Sequence, residues 1–233
     1  MHQISIPDFV LEANLQRRGR VHALETIEPE KTALVVIDMQ HAWAAPGHSP
    51  LEIPASRDIV GNINRIAAAL RDAGGIVAYT QHAWGEWPEF FEMFTRPGFK
   101  EDVIAKTAPG TPGHELWHEI DARPEDLRVV KNRPSAFIQG SSDMDAQLRA
   151  RGIDTLIITG TLTNACCEAS ARDAAALNYK VIFVGDATAT RSDYEHNAAL
   201  VNVMQFVADL WMTDELVQMI AAAGAARQGR EHA

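Results

Sequence analysis

Nowhere does the sequence hold an apolar run as long as the ~18 residues that a membrane-spanning helix needs. Its first stretch, MHQISIPDFVLEANLQRRGR, lacks the basic head, apolar block and small-residue cleavage site of an export signal. Cysteine is nearly absent: two in 233 residues, adjacent at positions 166 and 167. Neighbouring thiols cannot staple distant parts of a chain, so a disulfide-built fold is excluded and a reducing, cytoplasmic home is expected. An excess of positive charge is missing too. The net charge of −10 argues against nucleic acid as a partner, and RRGR (residues 17–20) reads as a solvated arm.

What the chain does hold is a series of short apolar runs rich in Val and Ile: ALVVID (33–38), GIVAYT (75–80), LRVVK (127–131), DTLIITG (154–160) and KVIFVGDA (180–187). They lack period-two alternation, as strands covered on both faces do. Between them lie segments with helical spacing. One runs from a candidate Ser56 cap to Gly74, another over residues 141–152, then 164–178, 192–210, and 213–224 with Gly224 as its stop. Strand–helix alternation of this kind implies an α/β fold: a doubly wound, mainly parallel sheet flanked by helices on both faces. The expected organisation is an N-terminal arm over residues 1–30, one domain over 31–223 and a fraying tail over 224–233. Residues 81–126 interrupt the rhythm and carry three of the five tryptophans. A connection that long suits a lid over a pocket or a subunit contact.

In an open parallel sheet, ligands bind beyond the carboxyl ends of the strands. Three reactive residues stand there: Asp38 after ALVVI, Lys131 closing LRVVK, and the cysteine pair just past LIITG. A charged residue leaving a strand often marks only the exit to water, and a cysteine there is often small apolar packing. The coincidence of acid, ammonium and thiol is what points to nucleophilic acyl transfer. A free thiol is mostly protonated at neutral pH and needs a base or a cationic setting. Asn164 is placed to cap the helix that follows, which puts Cys166 in its first turn, where orphan N–H groups favour negative charge. Helical spacing alone does not separate Cys166 from Cys167.

Two other classes compete. HELWH (114–118) matches the H-E-x-x-H pattern, in which His114 and His118 would hold zinc and Glu115 would act as base, provided the stretch is a sustained helix. A retired hydrolase serving as a binding or assembly module would keep the same residue types without their reactivity.

VVIDMQ (35–40), VVKNRPSAF (129–137) and TGTLTNACCEASARDA (159–174) together resemble the isochorismatase-like cysteine hydrolases, among them nicotinamidases and the carbamoylsarcosine, ureidoacrylate and biuret amidohydrolases. The resemblance covers roughly residues 32–212, with the motifs in family order. It implies a triad of Asp38, Lys131 and Cys166, with Cys167 as packing. It also implies a cis peptide between Thr161 and Leu162, and an oxyanion hole made by the amides of Leu162 and Cys166. The implied activity is metal-independent and cofactor-free cleavage of a small amide or ureido compound, in a homodimer or homotetramer. Nicotinamidases carry a metal near a D-W-H-P stretch; the matching TQHAWGEW (80–87) has His82 but no Asp-x-His, so His82 is expected as a loop residue touching substrate. Trp43 and Phe137 are candidates to sandwich a planar amide, Arg133 to pair a substrate carboxylate, Asn164 to bind substrate, cap the helix or both, and Trp84 to belong to a lid.

Overall fold

The computed structural model describes residues 1–85 and 87–231. Six strands are found there, β1 (Thr32–Ile37), β2 (Ile76–His82), β3 (Leu127–Lys131), β4 (Thr155–Thr161), β5 (Lys180–Ala189) and β6 (Asp209–Trp211). They form one sheet in the order β3-β2-β1-β4-β5-β6, every pair parallel. The order reverses between β1 and β4, which opens a crevice at the carboxyl ends of those two strands.

All of β1 is buried, and its side chains alternate between two cores. Leu34 and Val36 enter the core beneath helices α3 (Val60–Ala73) and α9 (Thr213–Glu231), with Ile63, Ile66, Leu70, Leu216 and Ile220. Ala33, Val35 and Ile37 enter the opposite core, beneath α6 (Met144–Arg149), α7 (Glu168–Ala176) and α8 (Asp193–Phe206), with Met144, Leu148, Ala171 and Val203. Period-two geometry is therefore present, but both faces are apolar, so the sequence reads as an unbroken Val/Ile run. Full burial of each such side chain stabilises by about 1.5–3 kcal/mol.

Several boundaries differ from the sequence-based expectation, each for a local reason. Ser56 is no cap: it lies inside a 3-10 turn (Pro54–Ile59) leading into α3, with its hydroxyl buried and without a hydrogen-bond partner among the described residues. The helix expected over 192–210 stops at Phe206, and Asp209 opens the short strand β6 instead. Buried Asp209 needs partners, and it accepts hydrogen bonds from Arg18, the Leu24 amide and the Trp211 indole. Gly224 does not end a helix, since α9 continues to Glu231 through the span expected to fray. A Cβ at Gly224 would sit 3.1 Å from Ala73 Cβ, so this glycine sets the close approach of α9 to α3 rather than a stop.

The expected N-terminal arm, residues 1–30, packs against the fold. It contains α1 (Asp8–Arg18), whose Val10 and Asn14 are buried, and Arg18 docks on the Met204 carbonyl at 2.7 Å. Of the RRGR cluster, Arg18 is thus tied to the fold, while Arg20 lies in solvent beside Glu25. The long insertion folds into α4 (Pro88–Phe94) and α5 (Phe99–Thr107). After β1 comes a short α2 (His41–Ala44). No helix among the described residues is long and apolar enough to cross a membrane.

Candidate active site

Asp38 is the first residue beyond β1, and its backbone is left-handed, with φ 49°. That conformation is uncommon outside glycine and turns the chain sharply at the sheet's edge. Beside it, Gly160 of β4 pairs with Ile37, and a Cβ there would lie 2.1 Å from the Ile37 carbonyl oxygen. Only glycine lets the two strand ends approach this closely. On the other side, His82 and Lys131 are register partners at the ends of β2 and β3. The parallel sheet therefore delivers Asp38, His82 and Lys131 to one edge, and the turn after β4 adds the thiol.

These groups meet in a fully buried cluster. Lys131 Nζ lies 2.8 Å from Asp38 Oδ2. It also donates to His82 Nδ1 at 2.9 Å and to the Arg133 carbonyl at 3.0 Å. The other carboxylate oxygen accepts from the Thr80 hydroxyl at 2.7 Å, and that hydroxyl accepts from the Asp38 amide at 3.1 Å. The sulfur of Cys166 and the nearest polar atoms of Asp38 and His82 lie within 4.8 Å of one another. Such an acid–imidazole–thiol set suits a cation, and here the cation among them is the Lys131 ammonium itself.

The electrostatics assign the protons. Burial opposes charge on Asp38, but the Lys131 ammonium outweighs it and holds the carboxyl at about 2. Burial likewise disfavours charged Lys131, yet Asp38 and then Cys166 raise its pKa. Burial pushes the Cys166 thiol up to about 12, with Lys131 pulling it down and Asp38 adding to the rise. Burial, then Lys131, lowers His82 to about 4. The resting site is a carboxylate–ammonium pair beside a neutral thiol and a neutral imidazole. An ammonium has no acceptor, so His82 Nδ1 must be bare and its proton sits on Nε2. That Nε2 has no hydrogen-bond partner among the described residues.

A pH profile follows from these directions. The carboxylate form of Asp38 persists until pH falls through about 2, and neutral His82 until about 4. Lys131 and Cys166 titrate on the alkaline side. The kcat/KM of the free enzyme is therefore expected to be flat from about pH 5 to 9. Steady-state rates across that range check it, and an acid limb near neutrality would show that His82 titrates during turnover.

Cys166 sits in a π-helical turn (Thr163–Cys167) that runs straight into α7. The Thr161–Leu162 peptide is cis. Leu162, not Asn164, holds the cap position, and its carbonyl accepts from the amides of Ala165 and Cys167. Asn164 is exposed at the turn and accepts a hydrogen bond from the Thr190 hydroxyl at 2.7 Å. The two cysteines now separate. Cys166 lines a cavity, whereas Cys167 packs at 0% exposure with its thiol toward the Thr159 carbonyl.

That cavity holds about 290 Å³ and is walled by Trp43, Leu51, His82, Trp84, Trp87, Phe90, Phe94, Phe99 and Leu162, with Arg191 among its polar lining. Trp43, His82 and Trp84 line this cavity, with His82 as the last residue of β2 rather than the loop residue expected. Phe137 does not: it is buried in the core under α6–α8 and packs against Tyr179. Arg133 is also absent from the cavity lining, its guanidinium lying 5.2 Å from the Trp87 ring centre.

HELWH is not a helix. Its His114 ends a 3-10 turn, Glu115 is extended and Leu116 bridges to Gln40, so the two imidazoles are not one helical turn apart. His114 is instead buried against the Thr107 carbonyl, and the Gln40 amide binds its backbone oxygen. Gln40 also clamps both backbone groups of His82. Thr80 and Gln40 escaped the sequence reading. Thr80 closes the apolar run GIVAYT much as Asp38 follows ALVVI, and that place at the end of an apolar run was the signal available.

Comparison with known proteins follows the same outline. The sequence matches the isochorismatase domain over residues 32–215. The fold is similar to a cysteine hydrolase from Pseudomonas syringae pv. phaseolicola 1448A, with TM-score 0.78 and 27% identity over 88% of this chain and 99% of that one. It is also similar to N-carbamoylsarcosine amidase from Thermoplasma acidophilum, with TM-score 0.63 and 28% identity over 79% and 97% of the two chains. An isochorismatase-like hydrolase from Alkaliphilus metalliredigens matches with TM-score 0.66 and 27% identity over 81% and 98%. On its sequence and its fold alike, the chain belongs to the isochorismatase-like hydrolase family.

Proposed function

We propose that the protein is a cysteine-dependent amidohydrolase that cleaves the C–N bond of a small amide or ureido compound through a thioester. One observation carries this reading: Asp38, Lys131 and Cys166, distant in sequence, share one buried cluster at the floor of an apolar cavity. Similarity to an N-carbamoylsarcosine amidase supports amide chemistry.

The resting protons define the steps. Asp38 takes the Cys166 proton as the sulfur attacks the carbonyl carbon, because a thiol held near 12 does not ionise in advance. Lys131 stabilises the charge while it moves. The carbonyl oxygen becomes an oxyanion held by the amides of Leu162 and Cys166, groups preorganised where charge develops. Protonated Asp38 then gives its proton to the departing amine, and the C–N bond breaks to leave a thioester. Water, deprotonated by the same carboxylate, attacks the thioester, and the sulfur leaves with a proton. The aromatic walls suit a substrate with a flat apolar part.

The test is an ammonia-release screen over nicotinamide, maleamate, ureidoacrylate, biuret and carbamoyl amino acids, with Cys166→Ala in parallel. Turnover by the wild type and none by the variant is expected. Full turnover by Cys166→Ala would overturn the proposal.

A further inference from the structure

Residues 1–7, part of the expected N-terminal arm, lie along α8, and His2 reaches Thr190 and His196. The Ser5 amide donates to Asn197 Oδ1 at 2.7 Å, and Asn197 Nδ2 donates to the Gln3 carbonyl at 2.8 Å. These bonds fix the segment's path and deliver the His2 ring, whose side chain is only 7% exposed.

Both ring nitrogens of His2 are engaged. The Thr190 amide donates to Nε2 at 3.1 Å, so Nε2 carries no proton. The proton is on Nδ1, which donates to Asp193 Oδ1 at 2.8 Å. From this ring two short routes reach the nucleophile turn. In one, Thr190 holds Asn164 through its hydroxyl at 2.7 Å. In the other, the His2 ring stacks on His196 at 4.4 Å, and His196 Nδ1 is 2.9 Å from the Thr163 hydroxyl. Thr163 and Asn164 belong to the same π-helical turn as Cys166.

We infer that His2 is a positioning residue: its imidazole fixes Thr190 and His196, and through them the turn that aims the Cys166 sulfur. The inference rests on the amidohydrolase reading only in its kinetic arm. A nucleophile misplaced by about an ångström loses up to 10²-fold in rate, so a contact that pins its turn acts on kcat without touching substrate.

Amide isosteres separate positioning from packing. In His2→Gln the side-chain oxygen can replace Nε2 as acceptor for the Thr190 amide. In His2→Asn the amide nitrogen can replace Nδ1–H toward Asp193, but nothing reaches Thr190. We expect His2→Ala and His2→Asn to lose about tenfold to a hundredfold in kcat with KM little changed, and His2→Gln to stay near wild type. Equal kcat in all four proteins, equal losses in the Asn and Gln variants, or a loss confined to KM would each overturn the inference. A second arm needs no substrate: the rate of iodoacetamide labelling at Cys166, mapped by mass spectrometry beside the Tm. It is expected to rise severalfold in His2→Ala and His2→Asn only, at nearly unchanged Tm. Identical labelling rates would sink the inference even if the wild type cleaved no compound in the screen, and absence of turnover with altered labelling would sink the amidohydrolase reading alone.

Discussion

Cys166→Ser is expected to lower kcat by about 10³-fold or more while leaving the fold and its denaturant midpoint intact. The oxygen is smaller than sulfur, and its proton is far harder to remove. The base assigned to this step is Asp38, which the neighbouring ammonium holds at about 2. So weak a base works only if the proton moves as the new bond forms, and a hydroxyl, the weaker and less acidic nucleophile, faces the higher barrier. The neighbouring thiol cannot stand in, because Cys167 faces the Thr159 carbonyl and burial keeps it well above its ordinary range. Single-turnover trapping of an acyl adduct on Cys166, seen as a mass increase lost in Cys166→Ser, checks the same step. A variant that retained full steady-state rate would remove the thiol from the chemistry.

Lys131→Met should produce the largest loss of stability of any single change at the site. It strands the Asp38 carboxylate at 0% exposure with the Thr80 hydroxyl and a neutral imidazole as its neighbours. Breaking one half of a buried pair costs about 3–5 kcal/mol, because the remaining charge has lost its compensation. The sign of the pH dependence distinguishes this from simple loss of packing. In the wild type the depressed Asp38 pKa contributes stability above the unfolded-state value of roughly 3.9, and this is lost as pH falls through about 2. In the variant the carboxyl's pKa rises, so the deficit shrinks as pH falls and the group is neutralised. The double variant Asp38→Asn with Lys131→Met removes both charges and should recover much of the stability and none of the activity. Urea midpoints at neutral and acid pH decide between these outcomes, and a deficit independent of pH would mean that packing, not charge, was lost.

How much of this was legible follows from range. The three strand-end residues could be picked out because a parallel sheet gathers its carboxyl ends, a rule needing only the order of runs along the chain. The sheet's register could not, so the contact of Lys131 with His82, which fixes the imidazole tautomer, was invisible. Asn164 looked like a cap because Asn before a helix commonly is one, and only the spatial neighbour Thr190 redirected it. Gly224 looked like a stop because glycine disfavours helix interiors, whereas here the demand for close packing on Ala73 prevailed. Phe137 and Arg133 follow Lys131 closely in sequence, but sequence adjacency does not say which way a loop turns its side chains. Of the aromatic insertion, the tryptophans advertised a wall, while the helices α4 and α5 that present it carry too weak an apolar stripe to be read in advance.

The ammonium of Lys131 spends two protons on His82 and the Arg133 carbonyl and directs its remaining charge at Asp38. In the proposed first step, as the thiol proton crosses to the carboxyl and the sulfur bonds to carbon, one minus sign changes address, from the carboxylate to the substrate's oxygen, around a stationary plus. The chamber is electrically balanced in either state. A reaction that keeps its books level in this way needs no counterion to enter and no bulk water to reorient, which is why so oily an enclosure is a workable place for it.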